Sequence, residues 1–263
     1  MKQAGFNRLV ARLQSLQSVA IAFSGGVDST LLLAAAQEVL GEQVMGFTVV
    51  TPYMERREIA DALALARKLG VSHQLIETDM SKNLRNNPEE RCYFCKRHLF
   101  TKLLERAKAA GFLQVLEGSN LDDVEHHASG LQALRELKVI SPFIEAGLTK
   151  AQIRQLSRER NLPTAEKPSH ACLLTRLPIG EWVAMEDLQR IEEAECLLRE
   201  KEYAQVRVRL HGRLARIEVD PAQRERLLDE APDVIQALEG LGFRYVTLDL
   251  RGYQAGSMSP VPG

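Results

Sequence analysis

Apolar residues along the first 160 or so positions follow two alternating rhythms. Short runs of β-branched and apolar residues, Val19–Phe23, Gln43–Val50, His73–Glu77 and Gln114–Glu117, read as strands. Between and around them, apolar positions recur at helical spacing near 3–16, 29–40, 55–69, 93–110 and 149–160. Strands that alternate with helices of this length imply parallel crossovers, with helices on both faces of the sheet. The prediction is an α/β fold with a doubly wound parallel sheet.

After Leu162 the rhythm breaks. Pro163, Lys167-Pro168 and Pro178-Ile179-Gly180 punctuate a stretch without period, and a helix restarts over about Met185–Glu202. Gln205–Leu210 and Ala215–Val219 then alternate with period two around a His211-Gly212 turn, a helix opens at Pro221, and Tyr245–Leu250 reads as a last strand. The expected organisation is a doubly wound domain over 1–165, a cysteine-bearing connecting loop over 166–180, and a smaller α+β domain over 181–263 that serves substrate binding or oligomerisation. The tail from Gly252 to Gly263, rich in Gly, Ser and Pro, reads as loop that orders against a ligand.

Composition narrows the function. The 263 residues carry 34 Lys+Arg against 35 Asp+Glu, a formal net charge of −1, which argues against a global basic face for nucleic acid and directs attention to local clusters of cations. Nowhere does an apolar run reach the eighteen or so residues of a membrane span, and Met1 to Arg12 has no signal-peptide core. A cytoplasmic protein is expected. In that reducing compartment four cysteines, two of them as Cys92-x-x-Cys95, suit metal or redox chemistry better than disulfides.

The first predicted strand runs directly into Ser24-Gly25-Gly26-Val27-Asp28-Ser29-Thr30 and then into a leucine-rich helix. Adjacent glycines allow positive φ and close approach to the backbone, so successive N–H groups converge on phosphate oxygens at the positive end of the helix. Ser24, Ser29 and Thr30 add hydroxyl donors. A plain strand-to-helix turn, with Asp28 or Ser29 as N-cap, is the competing reading. The loop lacks the lysine that a P-loop NTPase places before its Ser/Thr, so different phosphate chemistry is expected. The Ser-Gly-Gly-x-Asp-Ser pattern resembles that of the PP-loop ATP pyrophosphatases, which split ATP between the α and β phosphates. The resemblance implies adenylation of a substrate oxygen with release of pyrophosphate, using ATP and Mg²⁺.

Ligands of open α/β sheets bind beyond the carboxyl ends of the strands, so two later strand ends should complete the nucleotide site. Thr48, at the end of the second strand, is expected at the adenine, as in the PP-loop family. Gly118-Ser119-Asn120, with Asp122 and Asp123, follows the fourth strand. A turn or helix N-cap and a Mg²⁺ site are both open for Asn120 and the two acids.

Cys92 and Cys95 open a helix flanked by Arg91, Lys96 and Arg97, a setting that favours the thiolate, the form that binds metal or attacks. Cys172 stands alone in Lys167-Pro168-Ser169-His170-Ala171-Cys172-Leu173-Leu174-Thr175-Arg176. Three thiolates from two segments suit three corners of a [4Fe-4S] cluster; zinc with His170 or His98 as fourth ligand, or simple burial, are alternatives. Cys196, mid-helix in an apolar stripe, is expected as a packed core thiol.

These cysteines join Arg91-Cys92-Tyr93-Phe94-Cys95-Lys96, Arg176-Leu177-Pro178-Ile179-Gly180, Arg207-Val208-Arg209, Ala215-Arg216-Ile217-Glu218 and Gly252-Tyr253-Gln254-Ala255-Gly256-Ser257-Met258. With the phosphate loop, the set resembles the LarE family over nearly the whole chain. That resemblance implies an ATP-dependent sulfur transferase of nickel-pincer nucleotide biosynthesis for lactate racemase. Its small pyridinium nucleotide substrate, pyridinium-3,5-biscarboxylic acid mononucleotide, is adenylated and then given sulfur. One branch of the family gives up the sulfur of a single cysteine at the position of Cys172. The other holds a [4Fe-4S] cluster on three cysteines, and Cys92, Cys95 and Cys172 place this chain there. The source of the sulfide is unknown from sequence, and the family suggests a homo-oligomer.

Arg207 and Arg209 alternate onto one strand face, a spacing suited to gripping the substrate phosphate, with Glu195 orienting one of them. Lys96 and Arg176, beside the sulfur-bearing Cys172, are the candidates to meet charge developing on the adenylate. Two departures from the family pattern stand near the expected cleft. Glu125-His126-His127-Ala128-Ser129-Gly130 has His and Ala in place of an Arg-Pro pair, His126 and His127 reading as structural rather than metal-binding, and Gln254 replaces a common Arg. Competing functions are thiolation of a tRNA base, ammonia-dependent amidation of an adenylated acid, and a nucleotide or iron–sulfur sensor without turnover.

Overall fold

The computed structural model describes residues 2–126, 128–168, 171–254 and 258. The chain divides into two compact units, Met1–Ser81 with Glu90–His170, and Lys82–Glu89 with Ala171–Gly263.

In the first unit the order is α1 (Lys2–Leu16), β1 (Val19–Ala22), α2 (Val27–Leu40), β2 (Val44–Val50), α3 (Arg56–Lys68), β3 (Ser72–Glu77), α4 (Arg91–Ala109), β4 (Val115–Leu116), α5 (Asp123–His126), α6 (Ala128–Glu136), α7 (Pro142–Glu145) and α8 (Lys150–Glu159). The sheet is parallel, in the order β3-β2-β1-β4. The chain first winds outward from β1 to β3 and then returns to place β4 on the other side of β1. That reversal is a topological switch point, and both predicted phosphate-site segments leave the sheet there.

Residues of β1 have two covered faces, so Val19, Ala20 and Ile21 are fully buried. Leu31, Leu32, Leu33, Ala35 and Ala36 of α2 are fully buried as well, which explains a helix that is apolar around most of its circumference. The fourth strand is shorter than its apolar run predicts. Glu117 leaves the strand, while its N–H donates to Ile140 O at 3.0 Å. Helix α6 was not foreseen, because Ser129 and Gly130 dilute the apolar spacing of a short segment, and α5 and α7 are single turns too short to show a period.

The second unit contains α9 (Met185–Glu200), β5 (Val206–His211), β6 (Leu214–Val219), α10 (Arg224–Asp229), α11 (Ala231–Gly240) and β7 (Tyr245–Leu248). Its sheet has the order β5-β6-β7, the hairpin antiparallel and β7 parallel to β6. The segment 82–89 belongs here through one side chain. Asn87, fully buried and at φ 39°, donates from Nδ2 to Leu174 O, Leu177 O and Pro178 O at 3.1, 3.0 and 2.9 Å. Its carbonyl accepts from Gly180 N at 3.1 Å.

Candidate active site

Between β1 and α2 the phosphate loop takes the form that its glycines permit. Gly25 sits at φ 69°, and a Cβ there would stand 3.1 Å from Ala62 of α3, so glycine is required for both conformation and space. Gly26 is the N-cap of α2, and no side chain caps the helix. The first-turn N–H groups therefore lack i−4 partners and point out of the helix end. The competing cap by Asp28 or Ser29 is not formed. Ser24 and Ser29 turn their hydroxyls toward each other at 3.1 Å. Thr30, grouped with them from the sequence, is instead fully buried, and Val27 packs into the core and serves the loop through its backbone alone.

This loop opens into a cavity of about 400 Å³, within the usual range of small-ligand sites. Ser24, Asp28, Ser29, Gly118, Ser119 and Asp123 give it a polar side, and Phe47, Val49, Leu99, Phe100 and Leu103 an apolar one. Thr48, Cys92, Lys96 and Glu117 complete the lining. Most of the nucleotide-site residues expected from sequence thus meet around one space.

Thr48 is almost wholly buried, and its hydroxyl is spent within the protein. It donates to Phe23 O and accepts from His73 Nε2 at 2.9 Å. Among the described residues His73 Nδ1 is buried without a hydrogen-bond partner, and burial lowers the pKa of the ring, consistent with a neutral imidazole.

Asn120 and the two acids form turn and helix-start bonds. Asp122 N donates to Asn120 Oδ1 at 3.0 Å, and Asn120 N donates to Asp123 Oδ2 at 2.9 Å. Asn120 Nδ2 also reaches Asp28 Oδ1 at 3.3 Å, tying the loop after β4 to the phosphate loop. A Cβ on Gly118 would stand 3.1 Å from Asp28 Cβ and from Ser29 N, so the two loops meet closely there and a side chain would press on the phosphate loop.

Two residues here escaped sequence reading. Glu117, buried at the end of β4, accepts from Ser119 N at 2.9 Å, from Ser119 Oγ at 2.6 Å and from Ser141 Oγ. Lys96 Nζ lies 4.0 Å from the same carboxylate and 3.4 Å from Ser119 Oγ, and Gly130 leaves the room that the lysine stem occupies. The second is Lys150, at the start of α8, whose ammonium pairs with Asp28 Oδ2. A signal for it existed: a cation in the first turn opposes the helix dipole, so its presence calls for a local carboxylate partner.

Cys92 lies on the cavity wall, one helical turn before Lys96. Cys95 Sγ is 3.4 Å from Tyr53 Oη. His98, a candidate zinc ligand, has Nε2 at 3.0 Å from Asp79 O and 3.1 Å from Thr78 Oγ1. His127 and His170 lie outside the described residues, as does the side chain of His126. Cys92 and Cys95 belong to the first unit and Cys172 to the second. All four cysteines are reduced thiols, soft donors of the kind an iron–sulfur cluster takes. Among the described residues no group of three or more His, Cys, Asp or Glu side chains is assembled for a metal.

In the second unit Cys172 begins a 3₁₀ turn, Leu173–Arg176, and its carbonyl is held by Thr175 N at 3.0 Å, Thr175 Oγ1 at 2.8 Å and Arg176 Nη1 at 3.1 Å. Arg176, expected to face the adenylate, instead has no exposed surface. It grips Glu195 through Nε at 2.9 Å and Nη2 at 3.0 Å, and its Nη1 also holds Ala171 O at 2.6 Å. Glu195 was expected to orient one of Arg207 and Arg209, and the Arg207 charge does act on its carboxyl. It takes Arg176, Arg199 at 2.7 Å and Val208 N at 3.0 Å, while Arg209 is held by Glu218 at 2.8 Å and by Thr175 O at 2.9 Å. Burial alone pushes the Glu195 carboxyl up. The Arg176 charge and hydrogen bonds, with Arg207 and Arg199, outweigh it and hold the pKa below its ordinary value. Arg207 lies buried with its guanidinium 5.2 Å from the Tyr253 ring.

Cys196 is exposed rather than packed. The buried face of α9 is Leu188, Ile191, Ala194, Glu195 and Leu198, so the place that periodicity assigns to a thiol belongs to its carboxylate neighbour, about 100° around the helix. Partial burial and Glu200 raise the thiol pKa.

Comparison with known proteins agrees with this geometry. The profile described as asparagine synthase matches residues 4–102. The pyridinium-3,5-bisthiocarboxylic acid mononucleotide synthase of Lactiplantibacillus plantarum is 34% identical over 254 residues, which cover 95% of this chain and 92% of that protein. The chain belongs to the LarE family. The protein slr1717 of Synechocystis is 41% identical over 94% of this chain and 93% of its own length. A protein of Methanocaldococcus jannaschii is 31% identical over 239 residues, 91% of this chain and 92% of its own length. As a LarE-family member with a PP-loop domain, the chain is an ATP-using enzyme. No helix among the described residues is long and apolar enough to cross a membrane.

Proposed function

We propose that the enzyme is a cytoplasmic, homo-oligomeric sulfur transferase that converts the carboxylates of pyridinium-3,5-biscarboxylic acid mononucleotide to thiocarboxylates. The observation that carries this reading is a thiol, Cys92, on the wall of the same cavity that the phosphate loop enters. An amidating synthetase needs the loop and has no use for the thiol. The name of the Lactiplantibacillus relative supports the acceptor.

In the first half-reaction a carboxylate oxygen attacks the α-phosphorus of ATP, the bond to the bridging oxygen breaks, and pyrophosphate leaves with the electron pair. The loop N–H groups, Ser24 and Ser29 bind phosphate oxygens, Asp28 and Asp123 would hold the Mg²⁺ of the nucleotide, and Lys96 offsets charge on the acyl adenylate. In the second half-reaction a sulfur nucleophile attacks the carboxyl carbon and AMP leaves. Cys92, Cys95 and Cys172 would hold a [4Fe-4S] cluster, whose chemistry supplies sulfide for repeated turnovers.

Arg207 and Arg209 bind the nucleotide phosphate. Arg176 and Arg199 pair with Glu195, Arg209 and Arg216 with Glu218, and Arg216 also with Asp249, while the Arg207 charge acts on Glu195; among the described residues Arg209 Nε is buried without a hydrogen-bond partner. Arginines held in place by such pairs present a fixed cationic surface suited to a phosphate. Arg176 serves by fixing the turn that carries Cys172.

Iron and acid-labile sulfide on protein purified without oxygen test the sulfur source. Roughly four irons per chain, lost in Cys92→Ala, are expected. No iron after anaerobic reconstitution, together with loss of one sulfur from Cys172 after turnover, would transfer the role to a sacrificial cysteine.

A further inference from the structure

The phosphate loop carries no cation between Ser24 and Thr30, yet pyrophosphate gathers negative charge as it leaves. Lys96 lines the cavity but stands against the Glu117 and Ser119 side of it. A second cation reaches the loop from far along the chain. Lys150 opens α8 beside the N-cap Thr149, where a capping box with Gln152 fixes the helix start. Its backbone N–H donates to Asp122 Oδ2 at 3.0 Å, and its ammonium pairs with Asp28, in the first turn of α2. An ammonium at a helix start is disfavoured by the helix dipole, so the sequence accepts a local cost to bring this charge to the loop.

The pair is also poised to part. The side chains of Lys150 and Asp28 are 28% and 21% exposed, and an ion pair with that access to water holds weakly. The lysine stem is long and flexible. Asn120 holds the other Asp28 oxygen, so the carboxylate stays in place if the ammonium swings away.

We propose that Lys150 is a catalytic residue of the adenylation step. With MgATP bound, its ammonium turns from Asp28 to the β- and γ-phosphate oxygens, which releases Asp28 toward the Mg²⁺. As the bond from the α-phosphorus to the bridging oxygen breaks, the electron pair passes to that oxygen, and the Lys150 ammonium stabilises the departing pyrophosphate. This rests on ATP use by the enzyme and not on the identity of the acceptor.

The test uses the full chain with Lys150→Gln and Lys150→Arg. Calorimetric titration with Mg²⁺ and α,β-methylene-ATP, and separately with AMP, needs no acceptor and so reads Lys150 even where the acceptor assignment fails. Lys150→Gln should bind the ATP analogue about tenfold more weakly while AMP binding stays unchanged, and Lys150→Arg should recover most of the loss. Pyrophosphate release, measured with the pyridinium dicarboxylate, should fall in kcat by about 10²-fold in Lys150→Gln. Equal weakening of AMP and ATP-analogue binding would make Lys150 a structural support of the loop and overturn the proposal. Wild-type analogue binding and wild-type kcat in Lys150→Gln would overturn it as well.

Discussion

Charge is used in opposite ways by the two units. Around the phosphate loop the ionic groups keep partial contact with water: Asp28, Lys96 and Lys150 side chains are 21%, 29% and 28% exposed. In the second unit Arg176 and Glu195 have no exposed side-chain surface, and Arg209 and Glu218 have almost none. A half-hydrated pair contributes little to stability and rearranges easily, whereas a buried pair is worth little against an apolar substitute but is costly to break from one side. The first arrangement suits a site that must receive and expel phosphates. The second suits a frame that must hold the Cys172 turn and two arginines without moving.

The contrast is broken most severely at Glu195. Glu195→Ala leaves Arg176 and Arg199 without this buried partner and removes the acceptor of Val208 N, so the second unit should lose about 3–5 kcal/mol. Hydrogen exchange at the β5 amides checks it, with the amides of β1 and β2 as an internal reference. A pH effect follows in the same direction. Because the folded-state pKa of Glu195 is held below its ordinary value, its stabilisation is present above the ordinary carboxylate range and is lost as pH falls through the folded-state value. Acid unfolding should therefore begin in the second unit, and Glu195→Gln should flatten that dependence.

Next in size is a change confined to the open site. In Gly118→Val the side chain presses on Asp28 and the Ser29 amide, displacing the loop, and ATP-dependent pyrophosphate release should fall by about 10²-fold with the second unit's exchange unaffected. Thr48→Val removes a donor to Phe23 O and an acceptor for His73, at about 1–3 kcal/mol of stability in the first unit, read by chemical denaturation. The smallest effect is expected at Cys196→Ser. The exposed thiol supports neither network, so stability should change by less than about 0.5 kcal/mol and turnover should match wild type.

The phosphate loop was legible because its signal is local. Seven consecutive residues, a strand before them and a helix after them specify the turn, and the fold adds only the close fit of Gly25 to Ala62 and of Gly118 to Asp28. Residues joined through topology were not legible. Lys150 lies 122 positions from Asp28, and nothing near either residue in sequence names the other. Glu117 looked like the end of a strand until β4 proved short and Ser141 came to its carboxylate.

On α9 the apolar stripe was read correctly as a buried face, but its edge was misplaced by one residue. Periodicity alone gives no reason to bury Glu195 and expose Cys196, and the reason lies in Arg176 and Arg199. Asn87 repeats the lesson: it anchors the 174–180 segment from 87 to 91 positions away, because three carbonyls there converge on its buried amide.

The most direct test of the sulfur-transferase account is pyrophosphate release from ATP by anaerobically prepared protein, with and without pyridinium-3,5-biscarboxylic acid mononucleotide, followed by mass spectrometry of the nucleotide. The account predicts release that depends on the nucleotide, and a product in which oxygen has been exchanged for sulfur over many turnovers. Release that ignores the nucleotide, or a product that incorporates ammonia nitrogen instead of sulfur, would contradict it.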